Sequence, residues 1–596
     1  MARPDENVAD QASWPPGTLT LEDLQSASDN VILHPTPSSD PNDPLNWTPR
    51  RKAVNFTLVC FYVFMTFVQL DVGFTSWDQY QDELGFSVDF LNASAAINYG
   101  GLAVGCVFLV PLVHKYGRRP MYIFSTLLQL LSCVWLGATQ TRGDMIGSNL
   151  LSGIGGAISE TIVQITIADL FFVHHHGAMN GWYLFSTFTG AYLGPVASGY
   201  IVNSQGWRWV WWWCVILFAI NLVLIIFFFD ESKYVSIIQG QAGSRSTTPA
   251  DTQKPENAHV VHHELHQIDT DLGKVESTKM ENGSVRSHID ATIPLKTRRQ
   301  RLALVTKTDG SMAGDFYQPL VLLFTFPAIT FIALTYGSLL AWFAVTTSVQ
   351  ATYLFSPPYN FTAAGVGLMN LAPFIGTIPA IWVGGYLNDK SIIWLARRNG
   401  GVYEPEMRLW MAIPMAFVTP AGILMFGLGL YYQAPWPLLA VGFGVFGFGL
   451  VVAGDIGLSY AMDCYHDVIG NALVGVVFTR NIMSVLVLFV LTPWINAMGL
   501  RNLHVMISNV LAYWKTARMM QGKRHDSDTQ YEYHGQVIIR VDGCDTKRRD
   551  CSGCSSIADT LAFGNLLEAF IVGQVRGACD EGILDVWHFG GEVIDK

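Results

Sequence analysis

Charge is scarce in this chain. Only 14% of its 596 residues are Asp, Glu, Lys or Arg, where water-soluble domains carry roughly 25%, so much of its surface must face something other than water. Basic residues are fewer still, 36 Lys and Arg against 47 Asp and Glu, and the formal charge of -11 argues against a nucleic-acid partner, which needs a basic face. No Gly-rich phosphate loop with its Lys occurs, which excludes ATP as the direct energy source. Residues 1–50 are polar and Pro-rich, without the apolar core and cleavage site of a removable leader, so the first apolar span is expected to target the chain. Cysteine is sparse: Cys60, Cys106, Cys133, Cys214 and Cys464 lie in or beside apolar runs and read as packing residues. Cys544, Cys551, Cys554 and Cys579 offer one CxxC without a second pair, too little for a zinc site, and no metal or cofactor is expected.

Apolar and small residues are abundant: 50% hydrophobic, 18 Trp, 55 Gly and a mean hydropathy of +0.30. A helix needs about 20 apolar residues to cross the ~30 Å hydrocarbon layer. Eleven such runs are legible, at 53–76, 90–113, 120–138, 144–171, 178–202, 209–229, 319–346, 363–387, 409–431, 437–461 and 470–497. The domains follow: a polar N-terminus (1–50), a half-bundle of six spans (51–230), a linker (231–315), a second half-bundle (316–500) and an atypical C-terminal region (501–596). Two half-bundles suggest internal duplication.

Lys and Arg set the orientation. With the N-terminus inside, the inner loops hold Arg50, Arg51, Lys52, Lys115, Arg118, Arg119, Lys390, Arg397, Arg398 and Arg408, and the outer loops only Arg142 and Arg208. The linker has a disordered composition. It ends in the basic amphipathic stretch 295–304, read either as a helix on the anionic inner leaflet or as a solvated charge run. His174, His175 and His176 fall on an inner loop and read as solvated.

Ionisable groups inside spans default to function. In the fourth span Ser152, Gly156, Glu160 and Gln164 are four apart, with Asn149 one turn earlier, a polar stripe that turns from lipid. Glu160 lies near mid-membrane and is the candidate proton carrier, with structural pairing as the alternative. Asp455, Ser459 and Asp463 share a face of the tenth span, and Arg480 and Asn481 lie about ten residues into the eleventh. An Asp455–Arg480 contact is expected, either as a structural tie or as part of a substrate site. Tyr336 and Trp342 are candidate aromatic walls, or packing residues.

Several motifs carry a family resemblance. Pro111-Leu-Val-His114-Lys115-Tyr-Gly117-Arg118-Arg119-Pro120 after the second span and Gly385-Tyr-Leu387-Asn-Asp389-Lys390 after the eighth resemble the repeated inner-loop gating signature of the major facilitator superfamily, with Val110 and His114 replacing the usual Gly and Asp in the first copy. In the fifth span Gly181, Gly190, Gly194, Pro195, Ser198 and Gly199 resemble the antiporter motif of its drug:proton antiporter group, with Ser198 replacing a Gly. Asp43-Pro44-Leu45-Asn46-Trp47, Asp71 near the outer end of the first helix and Gly206-Trp207-Arg208-Trp209 are similar to fungal twelve-helix members. The family often has Arg where this chain has Asn149. Glu231-Ser232-Lys233-Tyr234 resembles a sugar-porter sequence in part, without its Pro and Arg.

The resemblance implies an all-α membrane protein of the major facilitator fold, two six-helix half-bundles, and a proton-coupled secondary transporter rather than an enzyme. The expected activity is efflux of a small amphipathic compound, a drug-like molecule or fungal metabolite, by alternating access, with Glu160 and Asp71 coupling protons. Asp71 is expected in the wetter outer end of its span. The alternatives are an uptake permease for a sugar or a cation such as a polyamine, or a non-transporting member. The expected partners are protons, a small-molecule substrate and the lipid bilayer, with the protein a monomer in the plasma membrane or, as an alternative, the vacuolar membrane. Asn92 and Asn360 are the outer glycan acceptors by their Asn-x-Ser/Thr context. The twelfth span is expected to be degenerate or missing: 504–514 precedes Lys515 and Arg518 and is too short, and 557–575 carries Asp559 and Glu568.

Overall fold

The computed structural model describes residues 19–20, 40–171, 173–234, 295–302, 312–399, 402–464 and 469–520. Most of the linker, the run 557–575 and the tail cysteines lie outside them. The first half contains α1 (Pro49–Asp71), α2 (Val88–Tyr116), α3 (Arg118–Gly137), α4 (Arg142–Leu170), α5 (Val173–Gln205) and α6 (Trp207–Phe228). The second contains α7 (Pro327–Tyr353), α8 (Ala363–Arg398), α9 (Pro405–Tyr431) and α10 (Trp436–Cys464). The stretch Ile469–Met520 is broken at Gly499, where φ is 76° and ψ 158°. That left-handed backbone suits Gly, and it divides the stretch into α11 (469–498) and α12 (500–520).

Among the described residues ten helical stretches are long and apolar enough to cross a membrane. α5, at 33 residues, has the length, but its Gly, Ser, Thr and His residues lower its hydropathy. His174–His176, expected on a loop, lie in the first turns of α5. Its start at Val173 precedes the expected 178 because a run of His and Gly reads as a loop in sequence.

The two halves pack by the same plan. α2 lies on α4, α1 on α5, and α3 on both α4 and α6; correspondingly α8 lies on α10, α7 on α11, and α9 on α10. α12 completes the pattern on α9, where a Cβ on Gly427 would fall 2.0 Å from His504 Cγ, and Leu503, His504 and Ile507 are buried. The stretch 504–514 is therefore part of a longer helix. The helix starts at Leu500 and runs to Met520, and at 1.5 Å per residue it rises about 30 Å. Sequence counting missed this because it ended the helix at Lys515 and Arg518; the twelfth element is degenerate in composition but present as a helix. The halves meet along α2–α11 and α5–α8, pairs that the same internal symmetry exchanges.

We call the end that carries Lys115–Arg119 and Lys390–Arg408 the basic end, and its opposite the far end. At the basic end two short strands, Leu19–Thr20 and Val402–Tyr403, pair antiparallel.

Candidate functional site

Glu160 of α4 and Arg480 of α11 form an ion pair that joins the halves. Each residue is 5% exposed. Asn481 Nδ2 donates to Glu160 Oε2 at 2.8 Å, so the carboxylate has two partners from the opposite half. The Arg480 guanidinium lies 5.4 Å from the Tyr336 ring centroid of α7. Tyr336 in turn is wedged against α10, where a Cβ on Gly454 would meet its ring at 2.9 Å. A charge removed from water costs several kcal/mol unless it is paired and hydrogen-bonded, and this constellation supplies the pairing.

The expected Asp455–Arg480 contact is not made. Arg480 turns to Glu160, while Asp455 lies against α8, where a Cβ on Gly384 would meet its Oδ2 at 2.7 Å. Periodicity ranks residues by face, and a face alone does not say which of two acids at similar depth an arginine reaches. Gln164 is half-buried, and Asn149 accepts from Asn98 Nδ2 at 3.2 Å. Trp342 is buried among the apolar residues between the halves.

Asp71 also differs from expectation. It is 1% exposed, and neither carboxylate oxygen has a hydrogen-bond partner among the described residues. The chain continues from α1 through the short helices Val72–Ser76 and Trp77–Leu84, whose residues Phe74, Thr75, Ser76, Trp77 and Tyr80 are buried, so the outer end of the span is packed rather than wet. Tyr99 and Tyr192 lie within electrostatic reach of it.

At the far end the halves are held together. Gly199 of α5 faces the backbone of α8, where a Cβ would fall 2.4 Å from Ala363 O, and a Cβ on Gly367 would fall 2.4 Å from Pro195 O. The opposite face of α5 packs within its own half: a Cβ on Gly190 would meet Phe64 O at 2.4 Å, and one on Gly194 would meet Val68 Cα at 3.2 Å. Ser198 Oγ donates to Val72 O at 3.0 Å. Gly181 has open space around it. Asn92 donates to Thr492 at 3.0 Å, accepts from Ser348, and is 3% exposed. It is thus a strut between α2, α7 and α11, and its expectation as a glycan acceptor is corrected: the local Asn-x-Ser pattern carries no information on burial. Asn360 is exposed, at a φ of 46°.

At the basic end each half has its own lock. Arg118 pairs with Asp169 at the end of α4, Nε to Oδ2 at 2.9 Å and Nη2 to Oδ1 at 3.3 Å. Arg408 pairs with Asp463 at the end of α10 and, at 3.3 Å, with Asp389. The acid absent at His114 is supplied from elsewhere. Glu231 accepts from the backbone N–H groups of Arg118 at 2.9 Å and Arg119 at 3.0 Å, a carboxylate at a helix N-terminus. Gly117, with φ of 112°, makes room for it, since a Cβ there would lie 2.5 Å from Glu231 Oε2. Arg119 donates to Ile226 O at 2.6 Å and to Leu302 O, which ties the basic stretch 295–302 to α3. Lys233 Nζ donates to His114 O and to Lys115 O at 2.7 and 2.9 Å; burial first, then Arg118, lowers its pKa. Lys390 Nζ sits 4.6 Å over the Tyr386 ring, and Gly385 has open space around it.

Asp169 and Asn98 did not stand out in the sequence, and Glu231 stood out only within the partial sugar-porter resemblance. Asp169 had a usable signal as an acid at the same end as unpaired Arg118. Glu231 could be assigned only once α6 was seen to return beside the α2–α3 turn.

A transporter is the class that two like half-bundles around a polar bridge define. The chain belongs to the Major Facilitator Superfamily, whose sequence profile matches residues 56–500, and it is a multi-pass membrane transporter. It is 31% identical over 536 residues to the Saccharomyces cerevisiae protein named HOL1, covering 84% of this chain and 91% of that one. An uncharacterized MFS-type transporter of Schizosaccharomyces pombe is 30% identical over 555 residues, covering 88% and 95%. The fold is similar to that of the proton:xylose symporter XylE, solved with 6-bromo-6-deoxy-D-glucose, with a TM-score of 0.51 at 14% identity, covering 80% of this chain and 96% of that one.

Proposed function

We propose that the chain is a proton-coupled secondary transporter that exports a small amphipathic organic compound by alternating access, with its basic end and N-terminus in the cytoplasm of a plasma-membrane monomer. The observation that carries the reading is the Glu160–Arg480 pair, a titratable acid whose counter-ion belongs to the other half. A proton on Glu160 cancels its charge and removes the attraction to Arg480, so the two protonation states favour different arrangements of the halves. That differential is what coupling requires. The close α5–α8 approach at Gly199 and Pro195 supports a far-end gate, and the Arg118–Asp169 and Arg408–Asp463 pairs tie the helices within each half at the basic end, so that each half can move as a unit.

A second reading, uptake of a small organic cation, is favoured by Asp71, a buried acid without a partner among the described residues, where a positive solute would supply the missing charge. Flux of rhodamine 6G and of spermidine, measured in both directions across proteoliposomes with an imposed pH gradient, separates the readings. Gradient-driven outward movement of the dye supports export, and gradient-driven inward movement of spermidine supports cation uptake. Gradient-independent flux of every solute transported contradicts proton coupling.

A further inference from the structure

Two small cavities with polar groups in their walls lie inside the first half, and the deeper one reaches Glu160 where the halves meet. One, of about 40 Å³, sits at the far end between α1, α2, α3, α4 and α6, beneath Trp77 and Tyr80, and its wall includes the polar side chains of Gln69, Ser94, Asn98 and Asn149. The other, of about 10 Å³, lies deeper, and its polar wall is Asn98, Gln129, Ser152, Ser159 and Glu160. Leu70 and Asn98 line both. Asn98 Nδ2 spans the partition, donating to Asn149 Oδ1 at 3.2 Å on one side and to Ser152 Oγ at 3.3 Å on the other. A water site needs about 10–15 Å³ and two to four polar partners. The upper cavity has room for several waters and the lower one for about one.

A second observation points to water. Gln69, which lines the upper cavity, and Gln129, which lines the lower one, each have a buried Oε1 acceptor without a hydrogen-bond partner among the described residues, in residues 2% and 1% exposed. Buried polar atoms of this kind are ordinarily satisfied by ordered water. Gly156 helps keep the lower cavity open, since a Cβ there would lie 3.0 Å from both Gln129 Nε2 and Leu102 Cδ2.

We infer that these cavities form a proton entry route, through the first half rather than through the cleft between halves, from the far end to Glu160. The inference rests on the proton-coupled reading above. A proton arrives along hydrogen-bonded water, passes the Asn98 partition and bonds to a Glu160 carboxylate oxygen; the carboxylate becomes a neutral acid, Arg480 keeps its charge, and the ion pair is lost. The groups facing Glu160 are Arg480 and Asn481 from α11, Tyr62 from α1, Tyr99 and Cys106 from α2 and Tyr183 from α5. None of them is a second acid. The far-end gate between the halves can therefore stay closed while Glu160 is reached.

The test combines two measurements on the intact protein in proteoliposomes. Hydroxyl-radical footprinting should label Met145 of the upper cavity wall and Leu102 of the lower one despite their burial, and should leave Phe443 and Phe446 unlabelled. Infrared spectroscopy after an external acid jump follows the carboxyl band that Glu160→Gln removes. Gly156→Ala, which fills the lower cavity by one methyl, should cut Leu102 labelling, keep Met145 labelling as a sign of native packing, and slow the band by roughly tenfold. Asn98→Val should slow it similarly, and Asn98→Ser, which keeps a polar partition, should restore most of the rate. Wild-type band kinetics in both Gly156→Ala and Asn98→Val, or unlabelled Leu102 in the native protein, overturns the route. A carboxyl band for Glu160 that never appears overturns the coupling reading itself, and the footprint distinguishes the two failures.

Discussion

Glu160 on α4 and Arg480 on α11 are partners across the two halves of the molecule, buried alike at 5% exposure. Removing one member of such a pair leaves the other as an uncompensated buried charge, which costs about 3–5 kcal/mol. Arg480→Met should therefore lower the thermal midpoint of the purified transporter markedly. Glu160→Met combined with Arg480→Met should recover most of the stability while leaving gradient-driven transport absent. A double variant no more stable than Arg480→Met would show that the pair is not what Arg480 balances.

The two faces of α5 predict two different failures. Gly190→Val places atoms where Phe64 O lies, inside the first half, and should reduce folded yield. Gly199→Val places them against Ala363 O of the other half, so it should fold and remain monodisperse but lose transport, because the far end can no longer close. Size-exclusion profiles beside flux measurements test the distinction, and equal folding defects in both would contradict it.

Gly427 and His504 report on the twelfth helix. Gly427→Ala should destabilise by about 1–3 kcal/mol as an overpacked contact, and His504→Ala should relieve much of that penalty. A double-mutant cycle on thermal unfolding measures the coupling. Additive effects would mean that α12 does not sit on α9.

How much of this was legible beforehand follows a physical division. Apolar length and Lys/Arg asymmetry are local properties of the chain, so the spans and the basic end were readable from residues such as Lys115 and Arg408. Partner choice is not local. Arg480 was seen as a buried cation in need of an acid, but Glu160 lies more than three hundred residues away, and only helix packing decides between it and Asp455. Asn92 shows the same limit, since its glycan signature is written in three residues and its burial in three helices. α12 was missed for another reason: Gly499 starts the helix earlier than apolar content does, and basic residues do not end it.

Asn360 and Asn92 make a topology test. Asn360→Gln should abolish a glycosidase-sensitive mobility shift, and Asn92→Gln should leave the shift unchanged, when protein from cells is compared by gel. A shift that survives Asn360→Gln and vanishes with Asn92→Gln would contradict the buried position of Asn92.

Proton coupling rests on Glu160 as the carrier, and the direct measurement is flux through Glu160→Gln in proteoliposomes with and without a pH gradient. Gln keeps the shape and the contact with Asn481 but cannot titrate. Gradient-driven accumulation should fall by at least roughly tenfold, while solute exchange at equal pH, which moves no net proton, should continue. Gradient-driven accumulation at the wild-type rate in Glu160→Gln would contradict the account.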